Sequence, residues 1–546
     1  MQNPVTSVAL VTGLLTTFTN SGEPIFTGTP TLNFLPFVGT SQLFGIEAES
    51  PGHVIGPIPD LELDIVDVTL GGRRELTLSW FFDPTSDPSV QMDPKLPKLE
   101  EELGEDRISQ MPNDVLVRIL SLLDDSVLAV QTTILSKRWN NLWTSISSIR
   151  LGDFDHECND HFMTFVDSVV SLHNSTDVLK FGLIYNNEGS RNDMLADDYA
   201  RIHRCICIVV DHNVVKLRLK LYNPLNLDQE FPLLFPESLF MCKTLVVLKV
   251  SSNCISFSNC PMEGCFPSLK VLYLEIDDSD HDSRNSLENL FTCCPVLEDL
   301  TIIGVLALSN INISAPELKT LTMVHIDSYS VVFSINAPKL ENFDLLDHFQ
   351  FPNKYILENG KSLVKVKLEL LDDEDYGADD GIADRATAMF AQISNVEDLS
   401  LSLQGLNASY LPEFVNLNRL VLVLHGFNYW EFLIECLKRC PNLKHLDLKH
   451  EDNKWRRREY ELRWEFFNPQ ERPACLVSRL KIISIKGFKG QRDEMEVAEY
   501  LLKNGEVLNR MSIHTESEDL LCSKKKLYKK LLTYVRGSRS CVILAD

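Results

Sequence analysis

One six-residue pattern, L-x-x-L-x-L, recurs from residue 214 to residue 448 and leaves few architectures open. It reads VVKLRL at 214–219, LVVLKV at 245–250, LKVLYL at 269–274, LEDLTI at 297–302 and LKTLTM at 318–323. It continues as LENFDL at 340–345, LVKVKL at 363–368, VEDLSL at 396–401, LNRLVL at 417–422 and LKHLDL at 443–448. Successive starts lie 31, 24, 28, 21, 22, 23, 33, 21 and 26 residues apart. Apolar residues alternating in this way mark a strand with one face in a core. A unit this short cannot bury that face alone, so such units become stable only by stacking on one another. Ile313-Ser-Ala-Pro316 and Ile335-Asn-Ala-Pro338 are the same turn 22 residues apart, one unit later.

Periods of about 20–29 residues with this signature describe the leucine-rich repeat, the longer gaps being loop insertions. Residues 151–465 are therefore expected to form an irregular leucine-rich-repeat solenoid of α/β class. Irregularity follows from the turn position, where Asn253-Cys254 gives way to Asp277, Val305 and Ile326. The third and fifth residues of each motif point away from the core. They run from Val247 and Lys249 to His445 and Asp447, with both charge signs and no aromatic ladder. A single-strand nucleic-acid track needs uniform positive charge and stacking rings, so that class is excluded. Mixed charge suits a protein contact, in which the pattern selects the partner. Tyr273, Lys365, Lys367, Arg419 and His445 are the candidate anchors for an unknown target protein.

Upstream, a charged linker, Lys98–Asp106, precedes DRISQMPNDVLVRILSLL and AVQTTILSKRWNNLW. Val115, Leu116, Ile119, Leu120 and Leu123 share one helical face, with Asn113-Asp114 as the expected cap. Val130, Ile134, Leu135, Trp139, Leu142 and Trp143 predict a second amphipathic helix. Two striped helices in about 45 residues cannot make a self-sufficient core, so the unit must dock on its own chain or on a partner. Residues 104–150 resemble the F-box of plant F-box proteins, with Met111 in place of the usual Leu and a link, DDSVL, one residue longer than the pattern. The resemblance implies docking on a Skp-type adaptor, and through it a cullin, by Ile108, Met111, Pro112, Val115, Leu116, Ile119, Leu120, Leu135, Trp139 and Trp143.

Residues 470–546 resemble the FBD domain that follows the repeats in many such proteins. The match runs through Pro473-Ala-Cys475-Leu476, Gly487-Phe488-x-Gly490, Glu494-x-Glu496 and Tyr500-Leu-Leu-Lys-Asn504. LKIISI at 480–485 and LNRMSI at 508–513 extend the strand motif, so the domain is expected to continue the solenoid as a helix-bearing cap.

The remaining sequence mostly excludes. Residues 1–100 lack sustained periodicity and carry Asp83-Pro84, Asp87-Pro88 and Asp93-Pro94, which break regular structure. A mostly disordered extension with a marginal strand pair is expected there. The chain has 52 Lys and Arg against 77 acids, a net charge of −25, which repels phosphate backbones and anionic membranes. No apolar run reaches the length of a membrane span. No Lys or Arg precedes Arg73, so neither a signal peptide nor an Arg-rich transit peptide is expected, and the cytoplasm or nucleus is the expected location. The 14 cysteines form no CxxC pair; the closest groupings are Cys205 with Cys207, Cys293 with Cys294, and Cys436 with Cys440. Small buried thiols are the expectation, with no metal and no cofactor. Leu371–Asp384 fails calcium-loop spacing and reads as a solvated insertion, and Asp277–Arg284, with His281 among carboxylates, reads as an inter-repeat loop rather than a weak metal site. Lys454–Arg458 reads as a charged loop and Lys524–Lys530 as the wet face of a helix. No phosphate-binding glycine loop, nucleophile elbow or zinc-protease motif occurs.

The two resemblances imply a non-catalytic subunit of a ubiquitin ligase. In that reading the F-box holds the adaptor, the repeats hold the target, and reaction follows from proximity. The alternative is a repeat scaffold outside any ligase.

Overall fold

The computed structural model describes residues 7–11, 14–18, 24–25, 63–70 and 73–80, then 108–545 apart from 109, 124–125, 153–158, 174–176, 187–195, 223–232, 262–263, 279–285, 307–309, 325–330, 349–352, 372–381, 404–409, 426–428, 452–471 and 516–523. They fall into two compact units, one ending at His212 and one starting at Asn213.

Within 1–100 the described elements are antiparallel strands. Ser7–Val11 pairs with Leu14–Phe18, and Leu63–Leu70 pairs with Arg73–Trp80, Leu70 facing Arg73. The second pair fits the marginal strand pair expected in this extension, and Gly71-Gly72 is a sequence that two-residue hairpins favour. The rest of the expected extension, with its Asp-Pro pairs, lies outside the described residues.

Helix α1 spans Asn113–Leu120 and α2 spans Ser126–Gln131. Asn113 is not the cap. Pro112 holds that position without a side-chain bond, and the Asn113 side chain accepts from Arg138 Nε at 3.0 Å. Nor is the second amphipathic run one helix: past α2 it breaks into 3-10 turns at Thr132–Ile134, Trp139–Asn141 and Trp143–Ser145. Thr132 and Thr133 are β-branched, the Thr132 hydroxyl donates to the Ala129 carbonyl at 2.7 Å, and Asn140-Asn141 favours turns.

The first unit then lays Ser148–Gly152 parallel to Lys180–Tyr185, with helices Asn159–Leu172 and Ala196–Asp211 packed together. These strands belong to the repeat pattern. Ile146-x-x-Ile149-x-Leu151 and Val178-x-x-Phe181-x-Leu183 place six buried residues in the positions of L-x-x-L-x-L. Ile, Val and Phe standing for Leu hide them from a leucine-based reading. His173 is buried here against His212, 6.4 Å away, and neither nitrogen of the His173 ring has a hydrogen-bond partner among the described residues.

The second unit is a parallel ladder in sequence order. Lys216–Leu221, Val247–Ser252, Val271–Asp278, Asp299–Leu306, Thr320–Val324, Asn342–His348, Lys365–Leu371, Asp398–Leu403, Arg419–His425 and His445–Glu451 pair in turn. Ile482–Lys486, Arg510–Ile513 and Val542–Ala545 continue it through the C-terminal region, as the motif at 480 and 508 predicts. Register never slips. Third-position residues face one another from Lys216 to Val542, and the fourth-position column, Leu217, Leu248, Leu272, Leu300, Leu321, Phe343, Val366, Leu399, Leu420, Leu446, Ile483, Met511 and Ile543, is buried throughout. Among the described residues the elements between ladder strands include helices such as Ile382–Gln392 and Arg492–Asn504, the short parallel pair Leu233–Leu234 and Ile255–Ser256, and a second short sheet. In that sheet Asn310–Ser314, Val332–Asn336 and Lys354–Leu357 run parallel, and Ile313 faces Ile335 as the repeated turn requires.

The FBD motif residues hold the junction with the last repeat. Gly487 has φ +69°, and a Cβ there would collide with the His450 carbonyl oxygen. Glu494 Oε2 accepts from the backbone N–H groups of Lys489 and Gln491 at 3.0 and 2.9 Å, forming a capping box with Gln491. Its other oxygen, Oε1, lies 2.8 Å from His450 Nδ1, with both side chains buried.

Two outcomes follow. Gly487→Ala should destabilise the protein by about 3 kcal/mol or more, from left-handed strain plus collision. Gly264→Ala, at φ +80° with nothing within 4 Å, should cost only the conformational part, about 1 kcal/mol; denaturant midpoints measure both. Burial, with His212 second, lowers the His173 pKa from 6.5 to about 4. The folded state thus binds its proton less readily than the unfolded chain, so stability is lost as pH falls from 6.5 towards 4. The loss should be roughly 3 kcal/mol at pH 4. His173→Phe should flatten that part of the stability–pH curve.

Candidate functional site

Two surfaces carry the residues singled out by sequence. The first is the helical segment 108–145. Leu116 is fully buried (0% exposed), and Leu120 and Trp143 are also buried. They pack inside this unit, where α2 and the turn at Trp143–Ser145 meet α1 and the strand at 148–152. The Ser126 hydroxyl accepts from the Arg150 N–H at 2.7 Å and fixes the start of α2 against that strand. Ile108, Val115, Ile119 and Leu135 stand exposed, Pro112 is exposed, and Met111 and Trp139 are half-buried. Sequence reasoning passed over Leu122, at 78% exposed the barest apolar side chain of the set, and Leu128 and Ile134 are exposed beside it in sequence.

The expected face therefore divides by helical phase. Leu116 and Leu120, four apart, turn inward; Val115, Ile119 and Leu122, spaced by four and three, turn out. Leu116, Leu120 and Trp143, expected on the docking face, lie buried in this unit at 0%, 3% and 7% exposed, so the accessible part of that face is the other seven residues. Arg138 bonds the Met111 carbonyl with Nη2 and Asn113 with Nε, and so holds the Met111-Pro112 corner against the second segment.

The second surface is the outward face of the ladder. Tyr273, Lys365, Lys367, Arg419 and His445 all occupy third or fifth positions. The last four occupy three strands within a run of four, none of them on Asp398–Leu403, a span of about 14 Å at 4.8 Å per strand. Tyr273 lies four strands before Lys367, roughly 19 Å away on the same spacing, and does not join that group.

Neighbours fix these side chains. Arg419 donates from Nε and Nη2 to one Asp447 oxygen at 2.9 and 2.6 Å, and these bonds raise its pKa. Lys367 lies 2.8 Å from Glu369. The Tyr273 hydroxyl donates to Glu275 at 3.2 Å, with the Lys249 ammonium 5.7 Å over its ring. Burial first, then the Glu275 charge, raises the tyrosine pKa. Along the second position of the motif, Glu298 receives Lys270 and Lys319, each at 2.7 Å, and their hydrogen bonds lower its carboxyl to about 2. Such exposed pairs add little stability but order the surface.

A third grouping had no signal in the CxxC search. Cys260, Cys265 and Cys293 come from two segments, and their sulfurs lie within 4.8 Å of one another in the buried core. Only the stacking of one repeat on the next brings Cys293 to the other two. Most of the acidic segment Leu371–Asp384, most of Asp277–Arg284, and all of Lys454–Arg458 lie outside the described residues. Lys524–Leu532 is a helix with Leu527 and Leu531 buried, and its lysines are exposed as expected. No helix among the described residues is long and apolar enough to cross a membrane.

Residues 203–371 match the family described as FBD-associated F-box protein At5g56370, LRR repeats, and residues 468–513 match the FBD family. The chain is similar to F-box/LRR-repeat protein At3g58980 of Arabidopsis thaliana, 29% identical over 470 residues that cover 80% of this chain and 74% of that protein. F-box/FBD/LRR-repeat protein At5g56420 of the same plant is 28% identical over 81% of this chain and 99% of its own length. FBD-associated F-box protein At5g27750 is 29% identical over 81% of this chain and 99% of its own length.

The inward and outward residues of α1 should behave differently. Leu116→Ala should cost about 2–5 kcal/mol of stability by leaving a cavity. Ile119→Ala should stay within about 0.5 kcal/mol of wild type. Thermal denaturation of the two variants side by side measures this.

Proposed function

We propose that this chain, a member of the F-box/leucine-rich-repeat/FBD proteins of plants, is the target-recognition subunit of a Skp–cullin–F-box ubiquitin ligase. The observation that carries the reading is the exposed apolar row Ile108, Val115, Ile119, Leu122 and Leu135, on a unit whose other stripe is already buried. Large apolar side chains left exposed on a small unit point to an interaction site, and a Skp-type adaptor is the partner that the F-box resemblance supplies. The ladder face holds the target protein, with Lys365, Lys367, Arg419 and His445 as the anchoring group and Tyr273 as a separate point. The chain contributes no catalytic group. It raises the effective concentration of target lysines near a ubiquitin-charged enzyme, in the cytoplasm, the nucleus or both. The scaffold reading draws support from the broken second segment at 132–145, which offers a partner short turns in place of a continuous helix.

One copurification experiment separates the readings. Val115→Asp with Ile119→Asp, both at exposed positions, should abolish adaptor capture while the melting temperature stays within a few degrees. Lys365→Glu with Lys367→Glu should abolish target capture and leave adaptor binding intact. A wild-type chain that retains no adaptor favours the scaffold. A charge-reversed chain that still captures its target moves the target site off this face.

A further inference from the structure

We infer that Cys260, Cys265 and Cys293 form a binding site for one thiophilic closed-shell cation, Zn2+ or Cu+, which staples two consecutive repeats together. The first two thiols belong to the segment between the strands Ile255–Ser256 and Val271–Asp278, and the third follows the helix Ser286–Thr292. All three are buried, and their sulfurs lie within 4.8 Å of one another. A zinc–thiolate bond of about 2.3 Å requires sulfurs roughly 3.8–4.0 Å apart, so the ion needs a contraction of less than about 1 Å.

The cluster is also oriented. The Sγ atoms of Cys293, Cys265 and Cys260 lie 3.1, 3.3 and 3.7 Å from a single acceptor, the Pro261 carbonyl oxygen. All three thiols thus converge on one carbonyl oxygen. A cation among the three sulfurs takes the place of the three thiol protons, which leave to solvent as the metal–sulfur bonds form. The same carbonyl stands ready as an oxygen donor in the fourth position. The neighbouring Cys294 donates instead to the Leu290 carbonyl at 3.2 Å and is outside the set. Three thiolates, with at most one carbonyl, select a soft or borderline d10 ion over Mg2+ or Ca2+. The other buried cysteines, such as Cys436, Cys440 and Cys475, make no comparable triad among the described residues.

The test uses the full-length chain, purified under reducing conditions without chelator. Metal analysis should find one equivalent of zinc or copper per chain, and its identity decides between the two ions. Stripping the ion and adding Co2+ alone should give thiolate-to-cobalt charge-transfer absorption. That band should be lost in Cys265→Ser and in Cys293→Ser and kept in Cys436→Ser. Because a serine variant can fail to fold, a second measurement uses the wild-type chain: alkylation of Cys260, Cys265 and Cys293, mapped by mass spectrometry, should accelerate when a chelator is added. A chain without bound metal and without a cobalt band, or one whose alkylation ignores the chelator, overturns the inference.

Discussion

The register of the parallel ladder is the constraint on which everything else in this protein rests. A one-residue slip of any strand would exchange its inward and outward side chains and expose a Leu at the column running from Leu217 to Ile543. First-position residues such as Leu245, Leu318, Leu417 and Leu508 are buried beside that column, so each strand is pinned at two points of the same pattern. Once pinned, the third and fifth positions have no choice. Lys365, Arg419 and His445 share a surface because the leucines beside them share a core.

The same logic explains how the C-terminal region can differ in sequence and still continue the fold. Its strands obey the ladder register, and its distinctive residues work at the joint. Gly487 gives way to the His450 carbonyl, and Glu494 ties two backbone amides and the His450 ring into one buried knot. A carboxylate that accepts from backbone N–H groups and meets a histidine has its lone pairs used, which is what makes its burial tolerable.

The helical segment before the ladder works by the opposite principle. Its inward stripe is spent on its own unit through Leu116, Leu120 and Trp143, while Val115, Ile119 and Leu122 remain in solvent. A two-helix element has too little surface to hide both stripes. That shortage leaves apolar side chains in solvent, and the Arg138 bonds to Met111 and Asn113 hold the corner in shape.

Sequence alone determined the repeat and its outward residues, because period-two burial is a local demand that the chain must satisfy residue by residue. It also separated the helical segment and the C-terminal region by motif. It did not reveal the two earliest strands, where Ile146, Ile149, Val178 and Phe181 occupy leucine positions. Nor did it tell which stripe of α1 faces inward, since both Leu116 and Ile119 are apolar and only packing against the turn at Trp143–Ser145 distinguishes them. The meeting of Cys293 with Cys260 and Cys265 is likewise a product of one repeat lying on the next. Tertiary structure decided these points because proximity across repeats depends on stacking distance, a quantity that no spacing along the chain encodes.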